Sequence, residues 1–475
     1  MSGERMFNKV LRIFREISEI PRGSTNTKLI ADYCESFAKK YNLEYIRDNA
    51  DNLIIFKDAT ADMLNAEPVI LQGHLDMVCQ VSADSQHNFL ENGPEIIIDG
   101  DFLKANKTTL GADDGIGVAV ILAILESDNI SHPPIEAVLT SDEEIGMIGA
   151  TALDMSGLKS KRMINLDGEE DDTVTVSCAG GSDFKLSLAT EYVAFSGTQI
   201  TIRLFGLKGG HSGVDIDKGR VNANVLAGRV LNHLYNDNSF RIVAINGGDK
   251  CNAITTECKI TLITQNKNFV LNANAYLCLI KDEISAREPE FDFEILANGN
   301  SDFAFSKSLT EKTISLLVNA PNGIMQMSAE IEGLVETSLN LGILKTCEET
   351  VSFQFALRSN KMSAMQQLVE RLVSLSKLLD ASYESFGHYP PWEYNANSDL
   401  QEIYTECFTE HYGFPPKIKA IHAGLECGVF DSQIQGLTAI AVGPQMYDVH
   451  TVKERVSISS TKKFCELILK VLKRL

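Results

Sequence analysis

Histidine and acidic side chains stand at the ends of predicted strands in this sequence of 475 residues. They are His74 and Asp76 in the segment 69–76, Asp113 and Asp114 in a glycine-bounded loop at 109–117, Glu143 and Glu144 in the segment 135–144, and Asp167 in the segment 163–167. Because ligands collect at the carboxyl ends of the strands of an open α/β sheet, we expect these four clusters to converge there.

Carboxylates that crowd together repel one another unless positive charge lies between them. A pair of divalent cations meets that need, and imidazole with carboxylate oxygens suits two Zn²⁺ ions, with Mn²⁺ or Co²⁺ as alternatives. Two such ions lower the pKa of a water molecule and polarise a carbonyl group. A nearby carboxylate that is not a ligand must then take the proton of that water.

The elements that position these groups change in character along the chain. Short apolar runs alternate with helical segments in the first part of the sequence and again in the last part, which indicates an α/β fold with a mostly parallel central sheet flanked by helices. Between these parts, alternating strand patterns surround helical segments, which indicates an α+β insert. We therefore predict a catalytic domain at 1–185 and 386–475 and one inserted domain at 186–385.

The composition excludes several classes of protein. The 43 Lys and Arg residues against 64 Asp and Glu residues give a net charge of −21, which opposes binding to nucleic acid or to an anionic membrane surface. The longest strongly apolar run, 116–125, is about half of the roughly 20 residues that span a bilayer, and the N-terminus lacks the apolar core of a secretory signal. Ten cysteines without a CxxC pair suit a reducing compartment, so we expect a cytoplasmic protein.

Seven segments of the sequence together resemble one family of metallopeptidases. They are Gly73–Val78, Leu110–Gly117, Asp142–Gly146, Asn165–Asp167, Gly210–Gly213, His422–Gly428 and Val449–Val456. In this order and spacing they resemble the co-catalytic di-zinc peptidases that include carboxypeptidase G2, aminoacylase and carnosinase-type dipeptidases. Within that family the resemblance to the bacterial aminoacyl-histidine dipeptidases, or cytosolic non-specific dipeptidases, covers nearly the whole chain.

The resemblance implies a set of five metal ligands. His74 and Asp167 would bind one zinc ion, and Glu144 and His450 would bind the other. Asp113 would bridge the two ions. The cysteines take no part in this set, so the site that the resemblance implies is built from imidazole and carboxylate groups alone.

Two further acidic residues receive other roles by the same resemblance. Asp76 would orient the imidazole of His74, and Glu143 would be the general base that later gives its proton to the leaving amine. Asp114 departs from the pattern, because the closest dipeptidases often carry Asn there. We expect its extra negative charge beside Asp113 to tighten metal binding or to shift the substrate preference.

The inserted domain is expected to act as a lid and as a dimerisation-like domain. His211 resembles the histidine that binds substrate and stabilises the tetrahedral oxyanion. Asn252 and Arg358 resemble the residues that hold the C-terminal carboxylate of the substrate, and Gly424 resembles a backbone contact to substrate. A single small lid in this family supplies its histidine from a partner subunit, whereas a doubled lid can supply it within the chain. The size of this insert favours the second arrangement, and both a monomer and a homodimer stay open.

The sequence thus predicts an enzyme that acts on short peptides and hydrolyses dipeptides with a free C-terminal carboxylate, Xaa-His dipeptides among them. A zinc-activated water would attack the carbonyl while Glu143 acts as general base. The alternative on the same fold is a related amidase, namely an aminoacylase, a β-alanyl dipeptidase or a tripeptide aminopeptidase. Two other classes fit less well. A non-catalytic binding protein would have lost a ligand or the base, and a Mg²⁺-dependent phosphohydrolase would not need His74 and His450.

Overall fold

The computed structural model describes residues 3–235 and 240–475. Residues 1–2 of the predicted catalytic domain and 236–239 of the predicted insert therefore lie outside the described residues. Eleven α-helices lie within the described ranges: α1 Gly3–Ser18, α2 Lys28–Lys40, α3 Ala112–Leu125, α4 Ile148–Ala152, α5 Ala223–Leu234, α6 Phe269–Ile284, α7 Lys307–Asn319, α8 Met362–Leu378, α9 Asp399–Tyr412, α10 Glu426–Gln433 and α11 Ile458–Arg474. Helix α1 buries one apolar face, whereas α3 is buried on all sides, as its almost entirely apolar sequence requires.

The same ranges contain 23 β-strands. They are β1 Glu44–Arg47, β2 Leu53–Lys57, β3 Val69–His74, β4 Ile96–Asp99, β5 Phe102–Ala105, β6 Ile135–Thr140, β7 Arg162–Asn165, β8 Thr173–Cys178, β9 Gly180–Ala189, β10 Tyr192–Phe205, β11 Gly210–His211, β12 Phe240–Gly247, β13 Ala253–Ile254, β14 Cys258–Thr264, β15 Asp292–Phe305, β16 Gly323–Met327, β17 Val335–Thr346, β18 Thr350–Ser359, β19 Ser382–Tyr389, β20 Lys417–Ile421, β21 Thr438–Ala441, β22 Met446–Tyr447 and β23 Arg455–Ser457.

The first of two compact units contains the residues up to 178 together with 394–420 and 425–475. Its central sheet has the strand order β1-β2-β6-β3-β7-β21-β8-β20. The four strands β6, β3, β7 and β21 run parallel to one another, while the pairs β1/β2, β2/β6 and β8/β21 are antiparallel. The α/β fold class is confirmed, and the parallel part of the sheet lies at its centre, where both faces are buried.

The second unit contains residues 179–393 and 421–424. Its main sheet has the order β15-β10-β14-β12-β17-β18-β9-β19, with β16 added beside β17, and every pair in it is antiparallel. Apolar side chains of this sheet and of helices α5 to α8 form one buried core. This is an α+β arrangement, in which the helices pack on an antiparallel sheet.

The borders of the second unit lie outside the borders that the sequence predicted for the insert at 186–385. Strand β9 pairs with β18 over its whole length, and β19 pairs with β9, so both strands belong to the sheet of the second unit. The predicted borders after residues 185 and 385 therefore fall inside these two strands. Among the described residues, no helix combines the length and the apolar character needed to cross a membrane.

Candidate metal centre

The parallel strands of the first unit bring site residues to one edge of the central sheet. Strand β3 ends at His74, which lies opposite Thr140, the last residue of β6. Strand β7 runs in register with β3 on its other side. The residues that follow these strands therefore emerge together, and they include Glu143, Glu144 and Asp167.

Two groups of three candidate ligands form at this edge and share Asp113. In the first group, His74 Nε2 lies 2.9 Å from Asp113 Oδ1 and 3.5 Å from Asp167 Oδ1. In the second group, His450 Nε2 lies 3.0 Å from Asp113 Oδ2 and 3.0 Å from Glu144 Oε1. The donor atoms of each group lie within 4.8 Å of one another. The two oxygens of Asp113 thus face different groups, as a bridging ligand requires.

The donor chemistry of both groups fits a divalent cation. Each group combines one imidazole nitrogen with two carboxylates, a mixture that suits zinc, manganese or cobalt. Burial and the charge of Asp113 raise the pKa of Asp167 well above its ordinary value, so these carboxylates repel one another. Hydrogen bonds to Asp113 and Glu144 raise the pKa of His450 to about 11. Because the carboxylates around His450 create a negative potential, a bound metal ion can take the position of the proton on its imidazole.

The buried carboxylate of Asp76 fixes the turn that follows β6. Its Oδ1 accepts a hydrogen bond from the backbone N–H of Glu143 at 3.0 Å, and its Oδ2 accepts one from the backbone N–H of Glu144 at 3.3 Å. The hydroxyl of Ser24 donates to Oδ2 at 2.8 Å. His74 Nδ1 lies 3.5 Å from Asp76 Oδ1 and 3.2 Å from the carbonyl oxygen of the same residue. Asp76 therefore holds both the predicted base and a predicted ligand, in addition to its contact with the imidazole.

Glu143 lies beside the two groups that share Asp113 and belongs to neither. One of its carboxylate oxygens lies within 4.8 Å of donor atoms of His74 and Glu144. Burial, together with the charges of Glu426 and Glu144, raises the pKa of Glu143 to about 8. A carboxylate that neither group needs thus stands next to the candidate ligands, where a general base is required.

Asp114 is fully buried and bonds to the backbone. Its Oδ2 accepts a hydrogen bond from the N–H of His74 at 3.2 Å, and its Oδ1 accepts one from the N–H of Gly117 at 3.1 Å. A Cβ atom at Gly73 would collide with this carboxylate. The groups of candidate ligands in the described residues do not include Asp114, so the structure gives it the task of holding the end of β3 against the first turn of α3.

Two buried charged residues that the sequence analysis missed hold the loop at 110–112, directly before the shared candidate ligand Asp113. Glu454 accepts hydrogen bonds from the three backbone N–H groups of this loop at 2.8, 3.1 and 2.8 Å. The guanidinium of Arg22 donates to the middle carbonyl of the loop and to both carbonyls of 75–76. Because Glu454 stands four residues after His450, it connects the loops of two candidate ligands.

A second buried network that the sequence analysis missed links the ends of three parallel strands. Glu426 Oε2 accepts hydrogen bonds from the hydroxyl of Thr140 at 2.8 Å and from Nε2 of Gln72 at 2.5 Å. Gln72 Oε1 accepts a hydrogen bond from Nδ2 of Asn165 at 2.5 Å. Burial raises the pKa of Glu426 to about 7. The network joins β6, β3 and β7 close to the residues that form the centre.

In the second unit, the predicted residues His211 and Arg358 lie together. Arg358 Nη2 lies 3.4 Å from His211 Nε2, and Nη1 donates to the hydroxyl of Tyr389 at 2.8 Å. Burial and the nearby guanidinium lower the pKa of His211. Arg358 is only 8 % exposed, and its Nε atom has no hydrogen-bond partner there. A buried guanidinium with a free donor is suited to a carboxylate that comes from a ligand.

The remaining predicted residues of the second unit flank this pair. The carbonyl oxygen of Asn252 accepts a hydrogen bond from the N–H of Ser212 at 2.8 Å, and its side chain is exposed. Gly424 is half-buried and lies two residues after His422. His422 Nε2 lies 2.7 Å from the hydroxyl of Ser338. The loop of His211 and the segment 421–424 thus both belong to this unit.

The amino-acid sequence is similar to a known peptidase family and to a curated relative. Residues 70–474 match the family described as Peptidase family M20/M25/M40. The cytosol non-specific dipeptidase of Escherichia coli (strain K12) is 37 % identical over 468 residues, which cover 98 % of this chain and 96 % of that protein.

Two solved structures have folds similar to the fold of this chain. The aminoacylhistidine dipeptidase of Vibrio alginolyticus superposes with a TM-score of 0.89 at 36 % identity, covering 98 % of this chain and 96 % of that one. An aminopeptidase of Bacillus cereus superposes with a TM-score of 0.56 at 17 % identity over 98 % of both chains, which is a likeness of fold alone.

Proposed function

This chain belongs to the peptidase family M20/M25/M40, and we propose that it is a metal-dependent dipeptidase that cleaves dipeptides with a free C-terminal carboxylate, Xaa-His dipeptides among them. The observation that carries the proposal is the pair of ligand groups that share Asp113, with Glu143 beside them. We propose two Zn²⁺ ions as the resident metals, with Mn²⁺ or Co²⁺ as alternatives.

His74, Asp113 and Asp167 would hold one ion, and Asp113, Glu144 and His450 would hold the other. When bound, a pair of such ions makes a water molecule more acidic and polarises the carbonyl group that this water attacks.

The carboxylate of Glu143 handles the proton in this proposal. It accepts a proton from the attacking water and afterwards delivers it to the nitrogen of the leaving amine. The two hydrogen bonds from the turn to Asp76 keep Glu143 and Glu144 in separate positions, so that one serves as base while its neighbour serves as ligand. Such adjacent residues need a rigid turn, because a shift of about 1 Å at a reacting group costs about a hundredfold in rate.

The second unit would recognise the other end of the dipeptide. Arg358 would bind the terminal carboxylate, because its guanidinium is buried and has a free donor. His211 would donate a hydrogen bond to the oxygen of the tetrahedral intermediate, with Asn252 and Gly424 as further substrate contacts. In this proposal the second unit acts as the lid of the enzyme.

A panel of substrates tests the proposed function. Purified protein is stripped with a chelator, reloaded with Zn²⁺, Mn²⁺ or Co²⁺, and assayed on Xaa-His dipeptides, β-Ala-His, tripeptides and N-acetyl amino acids. We expect metal-dependent hydrolysis of dipeptides, with the Xaa-His compounds among the substrates. Activity confined to N-acetyl amino acids, β-Ala-His or tripeptides would replace the proposal with the corresponding related amidase.

We further propose that the enzyme works in the cytoplasm, as the name of the Escherichia coli relative says of that protein. Both a monomer and a homodimer are compatible with the proposal. If His211 acts within its own chain, mixing Glu143→Ala and His211→Ala subunits restores no activity. If it acts on a partner subunit, the mixed dimer regains activity at one of its two sites.

A further inference from the structure

A cavity of about 540 Å³ lies in the first unit directly beside a predicted metal ligand. Its lining comes from the segments 23–26, 77–81 and 87–90 and from Glu144 and Ile145. The cavity therefore borders the candidate metal centre at Glu144, and all of its lining residues belong to the first unit. Nothing in the proposed roles of the ligands or of the base uses this space.

Apolar groups contribute the larger share of the cavity surface, and the polar side chains of Ser24, Thr25, Asn26, Gln80, His87 and Asn88 line the rest together with Glu144. Met77 and Phe89 are buried at 1 % and 8 % exposure, whereas Leu90, Val81 and Ile145 keep 76 %, 37 % and 47 % of their surface exposed. Large apolar side chains that stay exposed around a cavity mark a binding site for an apolar group. The lining residues include no Lys or Arg, and their one carboxylate is Glu144, so a negatively charged side chain would meet no ammonium or guanidinium group here.

We propose that this cavity is the subsite for the side chain of the first residue of the dipeptide, and that it selects large apolar or aromatic side chains. The inference rests on the proposed function, because it needs a scissile carbonyl at the metal centre. The carbonyl belongs to the first residue, whose Cα is bonded directly to it. The carboxylate of the second residue is assigned to Arg358 in the other unit, which leaves this cavity for the first residue.

The walls of the cavity are tied to the turn that carries the base and a ligand. The hydroxyl of Ser24 donates to Asp76 Oδ2 at 2.8 Å, and the N–H of Thr25 donates to Asp142 Oδ1 at 2.6 Å. In the adjoining segment, which pairs with this one through Gly23 and Met77, the hydroxyl of Thr109 donates to the carbonyl of Val78 at 2.7 Å. A side chain that fills the cavity therefore contacts a preformed wall and positions its own carbonyl group.

Polar variants of the exposed lining test the inference by kinetics. In Leu90→Asn combined with Val81→Asn, kcat/KM for Phe-Gly and Leu-Gly relative to Gly-Gly should fall about tenfold or more, because apolar contacts of this kind discriminate by about 10- to 200-fold. The ratio of Gly-Phe to Gly-Gly should stay unchanged. Leu64→Asn is the matched control, since Leu64 is an exposed apolar residue of the same unit outside the cavity. An unchanged first-residue ratio, or a change in the second-residue ratio instead, would overturn the inference.

A second measurement does not depend on turnover. Cys79 lines the cavity and is exposed, as are Cys278 and Cys347 in the other unit. Free phenylalanine should slow the alkylation of Cys79 at least threefold, as followed by mass spectrometry, while aspartate should not and the other two thiols should react at unchanged rates. Equal rates with phenylalanine and aspartate would contradict the inference. If phenylalanine protects Cys79 but no dipeptide is hydrolysed, the proposed function fails while the apolar subsite stands.

Discussion

The two units gather ionisable side chains of opposite character. The first unit places four carboxylates around two imidazoles, in the residues His74, Asp113, Glu143, Glu144, Asp167 and His450. The second unit buries the guanidinium of Arg358 beside histidines whose pKa values burial lowers. The first cluster needs cations to offset its negative charge, whereas the second has a free donor for an anion.

This difference matches the two ends of the proposed reaction. A dipeptide has a carbonyl group that cations can polarise and a terminal carboxylate that a guanidinium can bind. Each cluster by itself is compatible with many functions, and it is their opposite charge that favours a peptide with a free C-terminus. The predictions below separate the two clusters, because changes in the first should alter metal content and changes in the second should not.

The largest effect is expected for Asp113→Asn, because Asp113 is shared by both ligand groups. The variant should lose bound metal, measured by mass spectrometry of the metal content, and kcat/KM should fall by roughly a thousandfold or more. Asp154→Asn is the control, since Asp154 is an exposed carboxylate of the same unit. If Asp113→Asn kept two ions per chain, Asp113 would not be the bridging ligand.

Arg358→Met should weaken the binding of the substrate and leave the metal content unchanged. Removal of a buried charged partner costs about 2–3 kcal/mol, so kcat/KM for a dipeptide should fall by about a hundredfold. The parent should also prefer a dipeptide acid over the corresponding dipeptide amide, and the variant should lose that preference. Arg371→Met, an exposed residue of the same unit, serves as control. A preserved preference for the acid in Arg358→Met would assign the carboxylate to another residue.

Glu454→Gln should weaken metal binding although Glu454 is no ligand. Its carboxylate accepts three N–H groups of the loop before Asp113, and residues that support ligands in this way are worth about 10- to 100-fold in metal affinity. The measurement is a metal dissociation constant from competition with a chelator, compared with exposed Glu91→Gln. The spectrum of the Co²⁺ form should shift in the Glu454 variant alone. Equal metal affinities in the two variants would show that Glu454 does not support the metal site.

The smallest effect concerns stability in acid. Burial, with the charges of Arg358 and His211, lowers the pKa of His422 to about 3. As the pH falls below about 6.5, the unfolded chain therefore binds a proton at His422 while the folded chain does not. The contribution of the neutral His422 to the free energy of unfolding is thus fully present above about pH 6.5 and is lost as the pH falls. Between about pH 6.5 and pH 5, the free energy of unfolding should fall by about 2 kcal/mol more in the parent than in His422→Gln.

The free energy of unfolding of the second unit is measured by urea unfolding of the parent and of His422→Gln at about pH 6.5 and pH 5. The variant of an exposed histidine, His388→Gln, is the control. Identical pH dependence of the parent and His422→Gln would contradict the burial of a neutral His422.

The sequence predicted that several candidate ligands lie close together because strand ends are visible in it, whereas the roles of these residues came from the family resemblance. An apolar run that stops at His74 or before Asp167 predicts both the strand and the side of the sheet to which the side chain belongs. The same rule accounts for Glu144, which follows the neighbouring strand. The fold class followed from the same alternation of strands and helices.

The residues that support the ligands were not predictable in this way. Arg22, Glu426 and Glu454 are buried and charged, and they bond to backbone groups or to polar side chains far away in the sequence. Such contacts produce no periodicity, and although Glu426 and Glu454 lie within the segments 422–428 and 449–456 that carry the resemblance, these segments do not show which groups the two side chains contact. Tertiary structure alone shows which groups these buried side chains contact. The borders of the second unit differ from the predicted borders of the insert for a related reason, because strand pairing and not composition determines them.

The most direct test of the account is the metal content and turnover of Glu143→Gln. The substitution keeps the size of the side chain and removes the carboxylate that is assigned to proton transfer. We expect two ions per chain, as in the parent, and a kcat that is lower by roughly 10²- to 10⁴-fold. Near-normal turnover with both ions bound would contradict the role of Glu143 as base, and loss of one ion would make Glu143 a ligand instead.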